Sequence, residues 1–397
     1  MVKRIETYVI SVIIFFSSIN IGYINFKFPW VGNLTFMLRI GLIILMLIYI
    51  LLQKKRISVL FLTFSAYVIY VLIMTKINNL DIKEAIITLS MPYIILLTIE
   101  NYKDNQHLKD VLKCWETLLM FLIALDWLSM VVFPGGLYAT LYDNSWFLGY
   151  KTERLAFYLP FIILSAFLSE LDKHKIDSYT YIYCFLCMAS LLYSKATGAL
   201  TSLVIIIVIF ILINMGDKHD KSKKVLTFFL NFKVYITIYS IVLLQMFTIQ
   251  SSKLMQFIVI NVLHKDITFD TRAAIWESCF TLLKGKLFTG IGYLNYTQYQ
   301  VFTHNIYATS AHNMLLTILI TSGVIGVGFY LCFFGETAKK HNSSLDMICI
   351  AGIIAILVIG LTSSTIVYST FSMLFFSMLT ITLGGTNVRY KDSAIKK

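Results

Sequence analysis

Residues 34–52 read LTFMLRIGLIILMLIYILL, an apolar run interrupted by a single charge at Arg39. An α-helix rises 1.5 Å per residue, so a run of about 20 residues crosses the ~30 Å hydrocarbon core of a bilayer. A segment in lipid must satisfy its own backbone hydrogen bonds, and the alternation of a membrane strand is absent here. The stretch therefore predicts a transmembrane helix.

Similar apolar runs recur along the whole chain, which is 58% hydrophobic and only 14% charged. A soluble domain carries about 25% charged residues, so lipid is the expected solvent for most of this chain. The sequence predicts an all-α polytopic membrane protein of about 12 helices, with 1–397 forming a single integral membrane domain. The predicted spans are 7–26, 34–52, 57–74, 85–99, 114–133, 155–171, 178–194, 198–215, 230–250, 312–334, 346–365 and 366–384.

The basic residues predict the orientation. With both termini in the cytoplasm, 21 of the 33 Lys and Arg residues lie on the inner side. Five of the others fall in one long outer loop, which the positive-inside rule discounts. We therefore expect a multi-pass protein of the cytoplasmic membrane. Its net charge of +12 is explained by this topology and by anionic membrane lipid, not by nucleic acid.

Two predicted outer segments are longer than ordinary connections, namely 134–153 and the large extracytoplasmic loop 251–311 between the ninth and tenth spans. Loops of such length are usually functional. The second contains a predicted helix that carries Arg272 and Trp276 on one face and ends near Gly285. After it comes a run of aromatic and amide side chains that includes Tyr296 and Tyr299. These side chains suit a sugar, or alternatively form an interfacial aromatic belt.

Few ionisable residues fall within the spans, and such residues are functional candidates. Asp126 lies in the fifth span, Lys195 where the seventh and eighth spans meet, and Arg39 in the second span. Each could equally be a satisfied helix-packing contact or a snorkelling side chain, and for Arg39 snorkelling to the surface is favoured. Cys184 and Cys187 form a C-x-x-C pair inside an apolar span, which favours buried inert thiols. No cluster of acidic, His or Cys residues suggests a metal site, and we expect no cofactor and metal-independent chemistry.

The decisive motif begins at His312-Asn313 and continues, after nine residues, with Gly323-x-x-Gly326. This pattern resembles the signature of the O-antigen ligase and polymerase superfamily. The preceding Arg272-x-x-x-Trp276 and Gly290-Ile291-Gly292 resemble the same family's outer loop. Ser194-Lys195-Ala196-Thr197-Gly198 resembles its Ser-Arg-x-x-Gly turn, with Lys in place of Arg. Arg154 stands where members often carry a basic residue.

The resemblance implies a multispanning glycosyltransferase that uses undecaprenyl or another polyprenyl pyrophosphate as the glycan carrier. The preferred interpretation is a Wzy-type polysaccharide polymerase of capsule, exopolysaccharide or O-antigen biosynthesis. Such an enzyme transfers a glycan to the non-reducing-end hydroxyl of another lipid-linked repeat on the outer face. By this resemblance its partners are the lipid-linked oligosaccharide, membrane lipid and a chain-length regulator protein.

The chemistry assigns tasks to these residues. Departure of a pyrophosphate requires cations, for which Arg272, Arg154 and Lys195 are candidates. Deprotonation of the acceptor hydroxyl requires a base near neutrality, and His312 at the membrane boundary fits this task. Glu277, one turn from Arg272, is its ion-pair partner or a rival base. Asn313 binds a sugar or caps its helix, Trp276, Tyr296 and Tyr299 contact substrate, and the two glycines allow close packing.

Two alternatives are retained. A ligase of the same superfamily would deliver the glycan to a lipid or protein acceptor. A flippase or other transporter of lipid-linked sugars belongs to a different class, and it should show paired broken spans or charges deep in several spans.

Overall fold

The computed structural model of the chain describes residues 2–103, 107–139, 144–216, 230–231, 237, 239–241, 269–306, 308–338, 343–364 and 367–383. Within these ranges the chain forms 14 α-helices and one short antiparallel hairpin. The helices are α1 Val2–Ser18, α2 Gly22–Lys27, α3 Pro29–Leu52, α4 Val59–Ile77, α5 Ile82–Tyr102, α6 Leu108–Val132, α7 Leu155–Lys173, α8 Ser178–Tyr193, α9 Thr197–Gly216, α10 Phe269–Leu282, α11 Tyr296–Thr303, α12 Met314–Ala338, α13 Ser344–Gly360 and α14 Met373–Leu383. The hairpin strands are β1 Tyr138–Ala139 and β2 Asn144–Ser145.

Among the described residues, 7 helices are long and apolar enough to cross a membrane. They are α3, α4, α5, α6, α7, α9 and α12, and α1, α8 and α13 contain shorter apolar stretches. The chain is therefore an all-α, multi-pass membrane protein. The total of twelve spans stays a prediction, because the predicted ninth span, 230–250, and the start of the following loop lie almost entirely outside the described residues.

Several predicted spans agree closely with helices, but the first and the last do not. The predicted span 7–26 is divided, since α1 ends at Ser18 and α2 begins at Gly22. The predicted span 366–384 becomes helical only at Met373. A contact between the two irregular segments explains this difference, because the Thr370 hydroxyl donates a 2.5 Å hydrogen bond to the carbonyl oxygen of Ser18. That contact uses a backbone acceptor that a continuous first helix would occupy.

The helices differ strongly in how much of their surface is covered by protein. In α7, 78% of the apolar stretch is buried, against 22% in α3. Most side chains of α13 are also buried, and α13 packs against α7, α9 and α14. Thus α7 and α13 lie in the interior of the bundle. The large apolar side chains exposed on α3 are those that would contact lipid in a membrane.

Arg39 does not snorkel to the surface, contrary to the expectation from its position in an apolar run. Its guanidinium is buried and joins three helices. It donates hydrogen bonds to the Ser90 hydroxyl at 2.8 Å and to the carbonyl oxygens of Ser17 and Ile87 at 2.8 and 3.1 Å. These acceptors compensate for the loss of hydration that a buried cation suffers, so Arg39 links α1, α3 and α5.

The order of the helices assigns the connecting segments to two ends of the bundle. One end carries α2, residues 133–139 and 144–154, α10 and α11, and we refer to it as the loop side. The opposite end carries ion pairs of Lys109 and Lys113 with Asp172, and of Lys103 with Glu100. The lysines assigned to the cytoplasm by sequence thus lie together at one end in the described part of the chain.

The helix α12 is broken at Gly323, whose backbone angles of φ 63° and ψ −163° are not helical. Residues 287–292 of the preceding loop enter this break. The N–H groups of Ile291 and Gly292 donate to the carbonyl oxygens of Ile320 and Thr321 at 2.7 and 3.0 Å. On the other side of the break, Val324 N–H donates to the Leu287 carbonyl at 2.9 Å. The inserted backbone therefore satisfies groups that the break would leave unpaired in the membrane.

Two glycines make this insertion possible. A Cβ at Gly323 would lie 2.2 Å from the Phe288 carbonyl oxygen, and one at Gly290 would lie 2.5 Å from the Ser322 nitrogen. Gly323 and Gly326 were expected from sequence to allow close packing between helices. Gly323 instead allows close approach of a loop. Its backbone conformation is one that residues with a Cβ atom rarely adopt.

We predict that Gly323→Ala destabilises the protein, because it adds a cost of about 1–3 kcal/mol for the backbone conformation to the steric overlap with Phe288. Gly328 of the same helix is a matched control, since a Cβ there meets no atom within 4 Å. Gly328→Ala should be neutral or slightly stabilising. Thermal unfolding of the purified variants in detergent measures both effects, and equal midpoints would contradict the assigned break.

Candidate functional site

A cavity of about 620 Å³ lies at the loop side of the bundle. Its volume is in the range of sites that bind small molecules. Helices α5, α7, α11 and α12, residue 364 and residues 368–371 contribute to its wall, together with the segment between α1 and α2. The polar part of the lining is formed by Asn20, Asn25, Glu84, Thr88, Glu153, Asn295, Thr309, Ser310, Thr317, Thr321, Ser364, Ser369 and Thr370.

The cavity contains carboxylates and no cationic side chain among the described residues that line it. Hydroxyl and amide groups alternate with the aromatic rings of Phe157, Tyr293, Tyr296, Tyr299 and Tyr368. Such groups can donate and accept hydrogen bonds while the rings provide flat apolar faces. The lining is therefore suited to a neutral molecule rich in hydroxyl groups and is poorly suited to a phosphate.

Tyr296 and Tyr299, both predicted to contact substrate, line this cavity in different ways. Tyr296 begins α11 and its side chain is 60% exposed. Tyr299 is buried and packs with α10 and α12, beside Thr317. Asn295 caps α11 by accepting the Gln298 N–H at 2.9 Å, while the Gln298 side chain accepts the Asn295 N–H at 3.0 Å. This capping box fixes the start of α11 at the cavity wall.

Glu153 is the carboxylate at the start of α7, and the sequence analysis did not single it out. The Tyr150 N–H donates to its Oε2 atom at 2.9 Å. Gly149, at φ +124°, permits this arrangement, because a Cβ there would lie 2.5 Å from the same oxygen. The side chain is exposed to the cavity, yet the surrounding walls raise the pKa of Glu153, an effect that the Tyr150 N–H offsets only in part.

His312 and Arg272 lie close to one another beside this cavity. His312 belongs to the segment before α12, where its backbone N–H donates to the Ser310 hydroxyl at 3.2 Å, and Ser310 lines the cavity. Burial, with a further contribution from the Arg272 charge, lowers the pKa of His312 from 6.5 to about 4. At neutral pH the imidazole is therefore uncharged, and it is a weaker base than an ordinary histidine.

Arg272 itself is half-buried on α10. Burial lowers the pKa of its guanidinium, and the nearby Tyr150 phenol partly offsets this effect. Tyr150 is the residue whose N–H binds Glu153. Arg272 thus lies near the neutral imidazole of His312 and near Tyr150 of the segment that carries Glu153.

Trp276 and Asn313 have positioning contacts. The Trp276 indole N–H donates to the Ala311 carbonyl at 2.9 Å, which attaches α10 to the residue before His312. Asn313 is buried, and its side-chain oxygen accepts the Leu316 N–H at 3.0 Å while its amide donates to the Leu361 carbonyl at 3.1 Å. Of the two roles considered for Asn313, the helix cap is confirmed. Sugar binding by Asn313 and substrate contact by Trp276 stay predictions.

Arg154 was predicted to bind substrate, but the structure places it in a fully buried ion pair. Its Nε donates to Asp126 Oδ2 at 2.8 Å, and both side chains are 0% exposed. Its Nη2 contacts the hydroxyls of Tyr158 and Ser190. Asp126 also accepts the Leu148 N–H at 3.0 Å, so this pair holds the 148–154 segment to α6. The position gives no support to substrate binding and favours a structural role.

Lys195 and Glu277 are not brought to the cavity by any described contact. Lys195 is exposed in the turn between α8 and α9 and adopts a φ of 55°. Glu277 is exposed on α10. Its role as the partner of Arg272 or as a rival base stays a prediction, as does substrate binding by Lys195.

We predict that Arg272→Gln raises the pKa of His312 above about 4, without restoring the value of 6.5, because burial is the larger cause of the shift. Lys284→Gln, at an exposed lysine of the same loop, should leave the titration unchanged. NMR of protein labelled at histidine and reconstituted in nanodiscs measures the pKa, with the signal assigned by its loss in His312→Asn. An identical titration in Arg272→Gln would show that the two groups are not coupled.

In a comparison with protein families, residues 182–331 match the family model described as O-antigen ligase. A search of curated proteins and a search of solved structures returned no match. The matched range includes Arg272, His312 and the first part of α12, while Glu153 and Arg154 precede it. The match supports the O-antigen ligase and polymerase superfamily, whose members act on lipid-linked oligosaccharides in membranes. It thus supports membrane glycosyl transfer by this chain.

Proposed function

We propose that this protein is a polysaccharide repeat-unit polymerase of capsule or O-antigen biosynthesis. It transfers a glycan from polyprenyl pyrophosphate to the non-reducing-end hydroxyl of another lipid-linked repeat. The observation that carries the proposal is the division of charge at the loop side. A cavity whose described lining holds no cationic side chain, and which is suited to sugars, adjoins the Arg272 and His312 pair. The match to the O-antigen ligase family covers that pair.

The proposed reaction places each part of the substrate where the charges suit it. The sugar occupies the cavity, and the pyrophosphate lies outside it, near Arg272. The acceptor hydroxyl attacks the anomeric carbon, the bond from that carbon to the phosphate oxygen breaks, and the pyrophosphate leaves with the electron pair. Arg272 stabilises the developing negative charge in a partly dehydrated site. In this proposal His312, which is neutral at pH 7, donates a hydrogen bond to the same phosphates.

The broken helix does not favour a transporter. In many transporters the ends of paired broken helices bind a substrate or an ion. Here the described chain fills the break in α12 with the backbone of residues 287–292, so the freed N–H and carbonyl groups already have partners. The deep charges Asp126 and Arg39 are likewise satisfied by protein groups.

We predict that Arg272→Ala slows glycan transfer by about 10²–10³-fold, because the leaving group loses its cationic partner. Arg272→Lys should restore only part of the rate, since an ammonium cannot bind phosphate through two parallel hydrogen bonds. The assay uses purified protein in nanodiscs and the lipid-linked oligosaccharide isolated from cells that lack this chain. Arg56→Ala, at an exposed arginine of the opposite end, is the matched control. Repeating the assay in EDTA tests the proposed independence from metal ions.

The same variants separate polymerase from ligase and flippase in cells. Loss of a polymerase should accumulate single lipid-linked repeats on the outer leaflet and abolish long polymer. Full-length polymer retained on its carrier in Arg272→Ala cells would instead identify a ligase. Single repeats confined to the inner leaflet would identify a flippase.

We further propose that the loop side faces the exterior of the cytoplasmic membrane, with both termini in the cytoplasm. A cysteine introduced at Tyr296, which is 60% exposed at the cavity, should react with an impermeant thiol reagent added to intact spheroplasts. A cysteine at Lys54 on the opposite end should react only after lysis. Cys332, the one exposed cysteine among those described, is first replaced by Ser. Labelling in the reverse order would invert the proposed orientation.

A further inference from the structure

The proposed transfer requires a group that takes the proton of the acceptor hydroxyl, and His312 is poorly placed for this task. A general base is most effective when its pKa lies near the working pH. The pKa of His312 is lowered to about 4 by burial and by Arg272. In addition, Ser310 and Thr309, not His312, are the residues of this segment that line the cavity.

The cavity contains two carboxylates on different walls. Glu84 lies in the first turn of α5, where the positive end of the helix dipole stabilises a negative charge. Glu153 lies at the end of the 144–154 segment, and its Oε2 is held by the Tyr150 N–H at 2.9 Å. One oxygen of the Glu153 carboxylate is thereby oriented by the backbone, and a carboxylate has a second oxygen that can accept a proton.

Glu153 is also the carboxylate that adjoins the cationic site. Tyr150, which binds Glu153 through its N–H, lies close enough to Arg272 to affect the guanidinium electrostatically. If the sugar occupies the cavity and its pyrophosphate lies near Arg272, the anomeric carbon that joins them lies at the edge of the cavity nearest Arg272. An acceptor hydroxyl that attacks from the cavity would then approach beside the wall that carries Glu153.

We propose that Glu153 is the general base of the transfer reaction, accepting the proton of the acceptor hydroxyl as that oxygen attacks the anomeric carbon. The inference rests on the proposed function. In the step, the oxygen–hydrogen bond of the acceptor breaks and a new carbon–oxygen bond forms. The proton passes to a carboxylate oxygen of Glu153, and the pyrophosphate departs with the electron pair of the broken bond.

The surroundings of Glu153 fit this role. Enclosure by the cavity walls raises its pKa, which makes the carboxylate a stronger base than one in water. Tyr138 is close to it, and burial together with the Glu153 charge raises the pKa of that phenol to about 12. The neighbouring Arg154 forms its ion pair with Asp126 rather than with Glu153. The same pair anchors the segment that holds Glu153 at the wall.

The test compares Glu153→Gln, Glu153→Asp and Glu84→Gln in the nanodisc assay with lipid-linked oligosaccharide. Glutamine retains an oxygen that can accept the Tyr150 N–H, so the fold and the cavity should persist, but its amide cannot take the proton. Transfer by Glu153→Gln should fall by about 10²–10⁴-fold, while Glu153→Asp should retain more activity. The lipid-linked oligosaccharide should raise the thermal unfolding midpoint of Glu153→Gln by as much as it raises that of the wild type. Glu6→Gln, at an exposed carboxylate of α1, is the control for the same chemical change.

The possible outcomes are distinct. Transfer by Glu153→Gln above about one tenth of the wild-type rate, or loss of transfer in Glu84→Gln alone, would overturn the assignment while leaving the proposed function intact. Loss of substrate binding in Glu153→Gln would replace a catalytic role by a binding role and would also overturn it. A wild-type protein that transfers no glycan from the lipid-linked oligosaccharide would overturn the proposed function together with the assignment.

Discussion

The insertion of residues 287–292 into the break of α12 is the constraint on which the loop side depends. A helix interrupted within a membrane must satisfy its unpaired backbone groups, and here the loop supplies the partners. The inserted segment is held from the other side by α4, since the Asn78 amide donates to the Ile291 carbonyl at 2.8 Å and Tyr70 donates to that of Thr289 at 2.7 Å. Residues 293–295, which directly follow the inserted segment, line the cavity and lead into α11.

Electrostatics divides this end of the protein into two environments. The described lining of the cavity holds carboxylates and neutral polar groups, whereas Arg272 lies beside it on α10. Arg154 directly follows Glu153 in the sequence, but it is paired with Asp126 and does not line the cavity. A pyrophosphate is stabilised by cations, whereas a sugar is bound by neutral hydrogen-bonding groups. A site of this kind can therefore orient a substrate that contains both. The orientation would follow from charge before any specific sugar contact is made.

The sequence predicted those features that depend on local composition. The spans 155–171, 178–194 and 198–215 match α7, α8 and α9 within two residues at each end. The helix carrying Arg272 and Trp276 was also expected. The environments of Arg39 and Arg154 were not predicted, because their acceptors come from other helices, namely Ser90 of α5 for Arg39 and Asp126 of α6 for Arg154. Glu153 was overlooked because only the fold places it at a cavity wall.

The amino-acid sequence by itself determined that the chain is a multi-pass helical membrane protein, because apolar length and composition decide solvation in lipid. It also placed His312, Arg272 and the glycine pairs in a recognisable order. Only the tertiary structure decided that Gly323 breaks a helix and admits the loop, since the backbone of residues 287–292 must be present for the break to be stable. Likewise, the environments of His312 and Glu153 were decided by tertiary packing, because burial and neighbouring charges set the strength of an acid or a base.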